Sequence, residues 1–154
     1  MRTKALVAGL SLVAVLAWSI VPAAVAKEPS VYTGIVKGVA VGGYDPVAYF
    51  TEGKPVVGNP AITHEHAGAI WRFASEASRA AFKADPAKYA PQYGGYCAYA
   101  VSQGYTAKGD PNAWSIVGGK LYINYDQSVK RKWDKRQQTY IADGDANWPK
   151  VLAK

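Results

Sequence analysis

An uncharged apolar stretch at the N-terminus determines how much of this chain is left to fold. Ala5 to Val21 contains seventeen residues without a charge, follows two basic residues, and precedes the small residues Ala24-Val25-Ala26. A basic start, an apolar middle and an A-x-A end are typical of a secretory signal peptide. We therefore expect residues 1–26 to be a signal peptide that is cleaved before Lys27, and the protein to be periplasmic or secreted.

The alternative is that this stretch stays as a transmembrane anchor. It is short of the roughly 20 apolar residues that a bilayer requires, and the cleavage sequence follows it directly. The predicted mature protein is then a single domain, residues 27–154, with no stable membrane span. Because the leader carries two basic residues, its removal lowers the net charge from +7 to +5. A chain of this length can bury a core without disulfides.

Cys97 is the only cysteine in the sequence, so no disulfide can form within one chain. Export would nevertheless permit disulfides. A single thiol in an oxidising compartment is either buried and inert or reactive for a reason. Both interpretations of Cys97 are open at this stage.

Turn signals divide the mature sequence into short strands. An irregular edge strand is predicted over residues 31–40, and a hairpin over residues 61–65 and 69–73. A firmer hairpin is predicted over residues 114–117 and 120–124, because the two glycines between them can both adopt the positive φ of a tight turn. The sequence shows no internal repeat and no linker that would divide the domain.

Capping residues predict the helices. Ser75 and Asp126 are suited to the N-cap position of two helices, and a short helix is expected to begin after Cys97. The helix that follows Asp126 is predicted to continue past Ile141 and to end before Gly144. The pattern as a whole predicts an α+β domain in which short antiparallel β-hairpins pack with helices.

Several short strings follow one another in a fixed order between about Gly42 and Trp148. They are Asp45-Pro46-Val47, His64 or His66 before Gly68, Trp71-Arg72-Phe73-Ala74-Ser75, Phe82, Asp85-Pro86 with Tyr89, Pro91 to Ala98, and Leu121 to Tyr125. Together these strings resemble the YHS domain, and more closely the exported single-domain YHS proteins of bacteria. The resemblance implies a small α+β fold for the mature chain.

The resemblance implies less about metal binding, since the cysteines of metal-associated YHS domains are replaced here by Ala48, Ala74 and Ser78. Alanine supplies no donor for a soft metal. Three candidate donors remain: Cys97, His64 and His66. The two histidines are two residues apart, so on a strand they face the same side. With Cys97 they would form a His₂Cys set suited to copper or zinc.

Each of these residues also has an alternative interpretation. One histidine can cap a turn while the other is solvated, and Cys97 can pack as a small apolar side chain. Some exported YHS relatives carry selenocysteine at the position that matches Cys97, and this resemblance implies redox chemistry. Since the chain has no C-x-x-C partner, such chemistry would pass through a sulfenic acid or a mixed disulfide with another molecule.

The leading hypothesis is therefore an exported binding module for a copper-like soft metal ion, held by Cys97 and His64 with His66 as a candidate third ligand, and with no enzymatic activity implied. The alternative is a thiol redox protein in which Cys97 is the catalytic residue. A third hypothesis is a domain that binds an unidentified periplasmic partner and uses its tyrosines and Cys97 for packing. Nucleic acid is not an expected partner for an exported protein.

A basic run over residues 130–136 carries five of the positive charges and one negative charge. Such a run is either the solvated face of an amphipathic helix or a surface that docks on anionic phospholipid or a cell-wall polymer.

Overall fold

Two β-hairpins and six helices make up the part of the chain that the structure, a computed structural model, describes, namely residues 28–153. The hairpins are antiparallel and join β1 (Asn59–His66) to β2 (Ala69–Phe73) and β3 (Asp110–Val117) to β4 (Lys120–Asn124). The helices are α1 (Ala48–Thr51), α2 (Glu76–Ala84), α3 (Pro86–Tyr89), α4 (Ala98–Ser102), α5 (Gln127–Asp134) and α6 (Gln137–Val151). The predicted α+β class is confirmed, whereas the predicted signal peptide lies outside the described residues. Within those residues, no helix has the length and hydropathy needed to cross a membrane.

The predicted hairpins are confirmed, but the predicted edge strand is wrong. Residues 31–40 contribute only isolated bridges, of Val39 with Val36 and with Ile70. Gly38 has a φ of 78°, which lies in the left-handed region and interrupts an extended segment. Both hairpins also begin earlier than predicted, because Asn59 and Asp110 already pair with the far ends of their partner strands.

The predicted helix starts are confirmed, but the single helix predicted from Asp126 past Ile141 is wrong. The chain forms two helices there, because α5 ends at Asp134 and α6 begins at Gln137 after the non-helical Arg136, and α6 continues beyond Gly144. Ser75 and Asp126 cap α2 and α5 through hydrogen bonds that their side chains accept from the backbone three residues later. Gly144 lies inside α6 and is buried. A Cβ atom at Gly144 would lie 2.6 Å from the Tyr93 hydroxyl oxygen, so the close approach of Tyr93 requires glycine here.

The second half of the protein repeats the fold of the first, which the sequence did not predict. In each half a hairpin of one eight-residue and one five-residue strand is followed by a capped helix, and both hairpins have the same irregularity near the start of the longer strand. The two members of each matched pair are separated by the same number of residues along the chain. They are Gly58 and Gly109, Asn59 and Asp110, Pro60 and Pro111, Phe73 and Asn124, Ser75 and Asp126, and Phe82 and Trp133.

A rare turn opens each half. Val41-Gly42-Gly43 has φ values of 52°, 60° and 87°, and Tyr93-Gly94-Gly95 has φ values of 55°, 60° and 82°. Three successive residues in the left-handed region are uncommon, and the first residue of each turn is not glycine. Each turn leads, through one tyrosine, into a buried residue: Asp45 in the first half and Cys97 in the second.

Two apolar clusters fill the interior, and the matched residues Phe82 and Trp133 are fully buried, one in each. The first cluster centres on the inner faces of β2 and α2 and also takes in part of β4. The second lies where α4, α5 and α6 meet and is rich in tyrosine, with Tyr93, Tyr96 and Tyr122 as members. Most of the aromatic residues therefore serve as core.

Candidate functional site

The two halves have the same type of residue at some matched positions and different residues at others. Positions that keep the same type of residue in both halves, such as the buried aromatic pair Phe82 and Trp133, belong to the shared scaffold. Positions that differ in chemistry are candidates for function. Four of the differing pairs include a buried polar residue, the cysteine or a histidine. They are Asp45 and Cys97, Phe73 and Asn124, His64 and Ser115, and His66 and Val117.

Asp45 has a structural role in the first half. It is fully buried, its Oδ1 accepts a hydrogen bond of 2.9 Å from the Val47 N–H, and its Oδ2 accepts one of 2.9 Å from the Ala74 N–H. The carboxylate thereby joins the start of α1 to the end of β2. Two charge-assisted hydrogen bonds to the backbone are the usual way to compensate a buried carboxylate.

Cys97 occupies the matching place in the second half. Its Sγ accepts a hydrogen bond of 3.5 Å from the Ala100 N–H, and the N–H groups of Tyr99 and Tyr125 also interact with the sulfur. Tyr99 and Tyr125 are the counterparts of the residues that hold the Asp45 carboxylate. Backbone N–H groups at two matched places therefore face a carboxylate in the first half and a thiol in the second, where the Tyr99 N–H also donates to Asn124 Oδ1.

Burial keeps this thiol protonated at neutral pH. Cys97 is 1% exposed, and desolvation raises the pKa of the thiol, while the N–H groups of Ala100, Tyr125 and Tyr99 oppose that rise. The resting form is consequently a neutral thiol whose surroundings already contain donors suited to a negative charge.

Asn124 completes this site, although it is not among the site residues predicted from the sequence. Asn124 is fully buried; its Oδ1 lies 3.8 Å from Cys97 Sγ and accepts a hydrogen bond of 3.1 Å from the Tyr99 N–H. That N–H requires an acceptor, which fixes the orientation of the amide. Its Nδ2 then has no hydrogen-bond partner among residues 28–153.

An unpaired donor in a core has a cost of about 1–3 kcal/mol. The first half avoids that cost, because Phe73 takes the same place and is fully buried there. Local departures of this kind from good packing are expected at functional sites. Trp133 Nε1 is also buried without a partner among the described residues, but Trp133 keeps the aromatic core position of Phe82, whereas Asn124 replaces an aromatic residue and lies beside a thiol. The pair of Cys97 and Asn124 is therefore the strongest candidate for a functional site within the described residues.

Two open clefts are lined by residues next to this pair in the sequence, namely Tyr96 in one and Tyr125 in the other. One, of about 330 Å³, is lined by residues that include Tyr96, Ala107 and Lys108. The other, of about 410 Å³, is lined by residues that include Lys108, Tyr125 and Asp126. Since the Tyr125 N–H interacts with the sulfur, a lining residue of the second cleft directly contacts Cys97.

The two histidines lie elsewhere, on β1. Both are half-buried, and their rings contact Phe82 at centroid distances of 6.4 Å for His64 and 5.7 Å for His66. The side chains therefore share one face of the strand, as their spacing predicts. In the described part of the chain, no three His, Cys, Asp or Glu side chains converge in a way that could hold a metal ion. The structure thus brings His64 and His66 together without adding Cys97 to them.

No family model, curated protein or solved structure matches the chain. The contacts of the described residues therefore carry the functional proposals. The sequence did contain a signal that leads to Asn124: Gly58-Asn59-Pro60 and Gly109-Asp110-Pro111 are similar strings, as are Gly42-Gly43-Tyr44 and Gly94-Gly95-Tyr96. Aligning these strings pairs Cys97 with Asp45 and Asn124 with Phe73.

Proposed function

We propose that this protein is an exported YHS-type domain that functions as a thiol redox protein, with Cys97 as the reactive residue. The observation that carries the proposal is the unpaired Asn124 Nδ2, which belongs to the same buried amide whose Oδ1 lies 3.8 Å from Sγ. An oxygen atom added to the sulfur would supply the acceptor that this donor lacks. Oxidation would thereby satisfy a polar group that the reduced state leaves unpaired.

The oxidant is a hydroperoxide. The Cys97 thiol loses its proton, its sulfur attacks the terminal oxygen of the peroxide, an S–O bond forms as the O–O bond breaks, and water or an alcohol leaves with a proton. The thiol is oxidised to a sulfenic acid and the peroxide is reduced. Because the chain has no second cysteine, a thiol of another molecule must then condense with the sulfenic acid, forming a disulfide and releasing water.

The raised pKa of Cys97 sets the speed of this reaction. Only the thiolate is nucleophilic, so oxidation at neutral pH is slow and becomes faster as the pH rises. This behaviour fits a protein that responds to peroxide and passes its oxidation to a periplasmic partner. It does not fit an enzyme that turns peroxide over rapidly.

Trapping the sulfenic acid tests the proposal. The full chain is treated with hydrogen peroxide, and the Cys97 adduct of a sulfenic-acid reagent is followed by mass spectrometry in the original sequence and in Asn124→Leu. The sulfenic acid that the reagent can still trap is expected to persist in the original sequence. In Asn124→Leu it is expected to disappear sooner, with more sulfinic acid formed. Phe73→Leu is the matched control, because it makes the same replacement in the first half.

Circular dichroism establishes that each variant is folded before it is oxidised. Should Asn124→Leu fail to fold, Asn124→Asp keeps the acceptor and removes the unpaired donor. If Cys97 gives no adduct even at about pH 9.5, one unit above the reference pKa of a thiol, while the protein remains folded, the redox proposal is wrong. Equal lifetimes of the sulfenic acid in all variants would remove Asn124 from it.

The second candidate function is binding of a copper-like or zinc ion. It is favoured by the position of both imidazoles against Phe82 on one face of β1. Imidazole nitrogen is a good ligand for Cu(II) and Zn(II), and two residues separated by one position on a strand can chelate one ion.

Titration calorimetry with Cu(II) and with Zn(II) tests this candidate. Loss of binding in His64→Ala with retention in Cys97→Ser would assign the ion to the histidines. Loss in both variants would assign it to the predicted set of Cys97, His64 and His66. Unchanged binding in His64→Ala and in His66→Ala would exclude the histidines as ligands.

A further inference from the structure

The basic residues of α5 are not required by the fold. The matched helix α2 has the same capped start and the same buried aromatic position. Residues 79–85, which match residues 130–136, nevertheless carry two basic residues and one acidic residue in place of five and one. Where α5 and the turn after it have Arg131, Lys132 and Lys135, α2 has Ala80, Ala81 and Ala84. Alanine at these places in α2 shows that a capped helix of this kind can form without the basic residues.

Most of this charge is left available to a partner. Of the five basic side chains in residues 130–136, only Lys130 forms an ion pair within the described chain, at 2.6 Å from Asp134. Lys132 instead lies over the ring of Tyr99, 4.5 Å from its centroid, and Arg136 lies 5.8 Å from the centroid of Tyr140. Cation–π contacts hold these two side chains in place without neutralising them.

Tyrosines border the basic side chains. Tyr99 and Tyr140 are in edge contact, with centroids 5.2 Å apart. Tyr105 is 52% exposed and also interacts with Lys132. We name the surface formed by Tyr99, Tyr105, Tyr140 and the basic residues of 130–136 the basic tyrosine face. A tyrosine ring has an apolar body and a polar tip, and such residues are enriched where a protein meets the interface of a bilayer.

We propose that the basic tyrosine face docks the protein on a membrane surface that contains anionic phospholipid. Juxtamembrane basic residues contribute about 1 kcal/mol each to such binding. Arg131 in α5 and Lys135 at its C-cap are both exposed, two residues to either side of the buried Trp133. Tyr99 belongs to this face through its ring and to the Cys97 site through its backbone N–H. Arg131 and Lys135 belong only to the face, so changing them tests docking separately from the proposed redox function.

A membrane fits this surface better than a nucleic acid does. Single-stranded nucleic acids require aromatic rings with open faces on which bases can stack. In this protein the face of Tyr99 is covered by Lys132, and the ring of Tyr140 lies beside Arg136. The outer side of a helix is also convex, so it can approach a flat layer of headgroups.

Vesicle co-sedimentation tests the proposal with the full chain. Vesicles of phosphatidylglycerol and phosphatidylcholine are compared with vesicles of phosphatidylcholine alone. The double variant Arg131→Ala/Lys135→Ala is expected to bind the anionic vesicles about 25-fold more weakly, which corresponds to about fivefold for each charge. The matched control is Arg79→Ala/Lys83→Ala on α2, which removes the same charge from the other half and should retain most of the binding.

The apolar N-terminal stretch is common to all variants, so the difference between variants reports on the basic tyrosine face. Equal losses in the α5 and α2 variants would show that net charge alone governs binding, and they would overturn the proposal. Equal binding to both kinds of vesicle would also overturn it. So would tighter binding of the same face to a double-stranded oligonucleotide than to the anionic vesicles.

Discussion

Asp45 and Cys97 occupy the same position in the two halves of the protein. The backbone N–H of Asp45 donates a hydrogen bond of 2.8 Å to the Val56 carbonyl, and that of Cys97 donates one of 3.0 Å to the Ala107 carbonyl. Both residues follow a turn of the same left-handed conformation and are buried. One half thus uses a carboxylate to hold its backbone, and the other has a thiol in its place.

Replacing the carboxylate should be costly. Asp45→Ala leaves the N–H groups of Val47 and Ala74 without their acceptor, and a lost hydrogen bond to a charged group costs about 1.5–3 kcal/mol. We expect the free energy of unfolding in urea to fall by roughly 3 kcal/mol. Asp85→Ala is the control, since it removes only an exposed N-cap and should cost about 1 kcal/mol. Equal losses would contradict the role given to Asp45.

The thiol should make stability depend on pH. Burial raises the pKa of Cys97 in the folded protein, whereas an unfolded thiol has a pKa of about 8.5. Below that value the thiol is protonated in both states, and its contribution to stability is fully present. At higher pH the unfolded chain loses the proton first, so the free energy of unfolding falls until the folded pKa is passed.

Urea unfolding between about pH 7.5 and pH 9.5 measures this effect, because that interval spans the reference pKa of the thiol. Cys97→Ser removes the titrating group and should show a flatter profile. The buried tyrosines, whose pKa values are also raised by burial, add their own loss only above about pH 10, and they do so in both proteins. Identical slopes below that pH would show that Cys97 is not the source.

Matched core residues should make similar contributions to the free energy of unfolding. Phe82 and Trp133 take the same position in α2 and α5, and both are fully buried. We expect Phe82→Ala and Trp133→Ala each to lower the free energy of unfolding by about 3–5 kcal/mol, through lost burial and the cavity that remains. A conservative comparison with Phe82→Leu should give a smaller loss. A negligible loss at either position would contradict the matching of the two helices.

The sequence predicted the local elements well, because their signals are local. Gly118-Gly119 identifies a tight turn, and Ser75 and Asp126 identify helix starts, without reference to the rest of the chain. The repeat was missed because its matched residues share a position and a role but seldom an identity. Phe82 and Trp133 both fill a core, and Ser75 and Asp126 both cap a helix, yet neither pair is identical.

The candidate site depended on contacts between distant residues. Cys97 was selected as a lone thiol, but Asn124 resembles an ordinary residue at the end of a strand until its amide is found beside the sulfur. The two histidines could be placed on one face from their spacing alone. Their separation from Cys97 could not be predicted, because it depends on how the hairpins pack.

Replacing Gly144 by alanine is expected to lower the stability of the protein, although the same replacement in most helices raises it. Replacing glycine by alanine inside a helix normally stabilises it by about 1 kcal/mol. At Gly144 the new Cβ would lie 2.6 Å from the Tyr93 hydroxyl oxygen and 2.8 Å from Cζ of the same ring. That hydroxyl donates a hydrogen bond of 2.8 Å to Asp145, so the ring cannot move away without losing this bond. We expect Gly144→Ala to destabilise the protein by about 1–3 kcal/mol.

Thermal or urea unfolding of four proteins tests this prediction as a double-mutant cycle: the original sequence, Gly144→Ala, Tyr93→Phe and the combination. Because Tyr93→Phe removes the atom that the new Cβ would meet most closely, Gly144→Ala should cost less in that background. Thr139→Ala, at an exposed site on α6, should change stability by no more than about 0.5 kcal/mol. A stabilising Gly144→Ala would mean that Tyr93 does not press on the α6 backbone, and the glycine would then need another explanation.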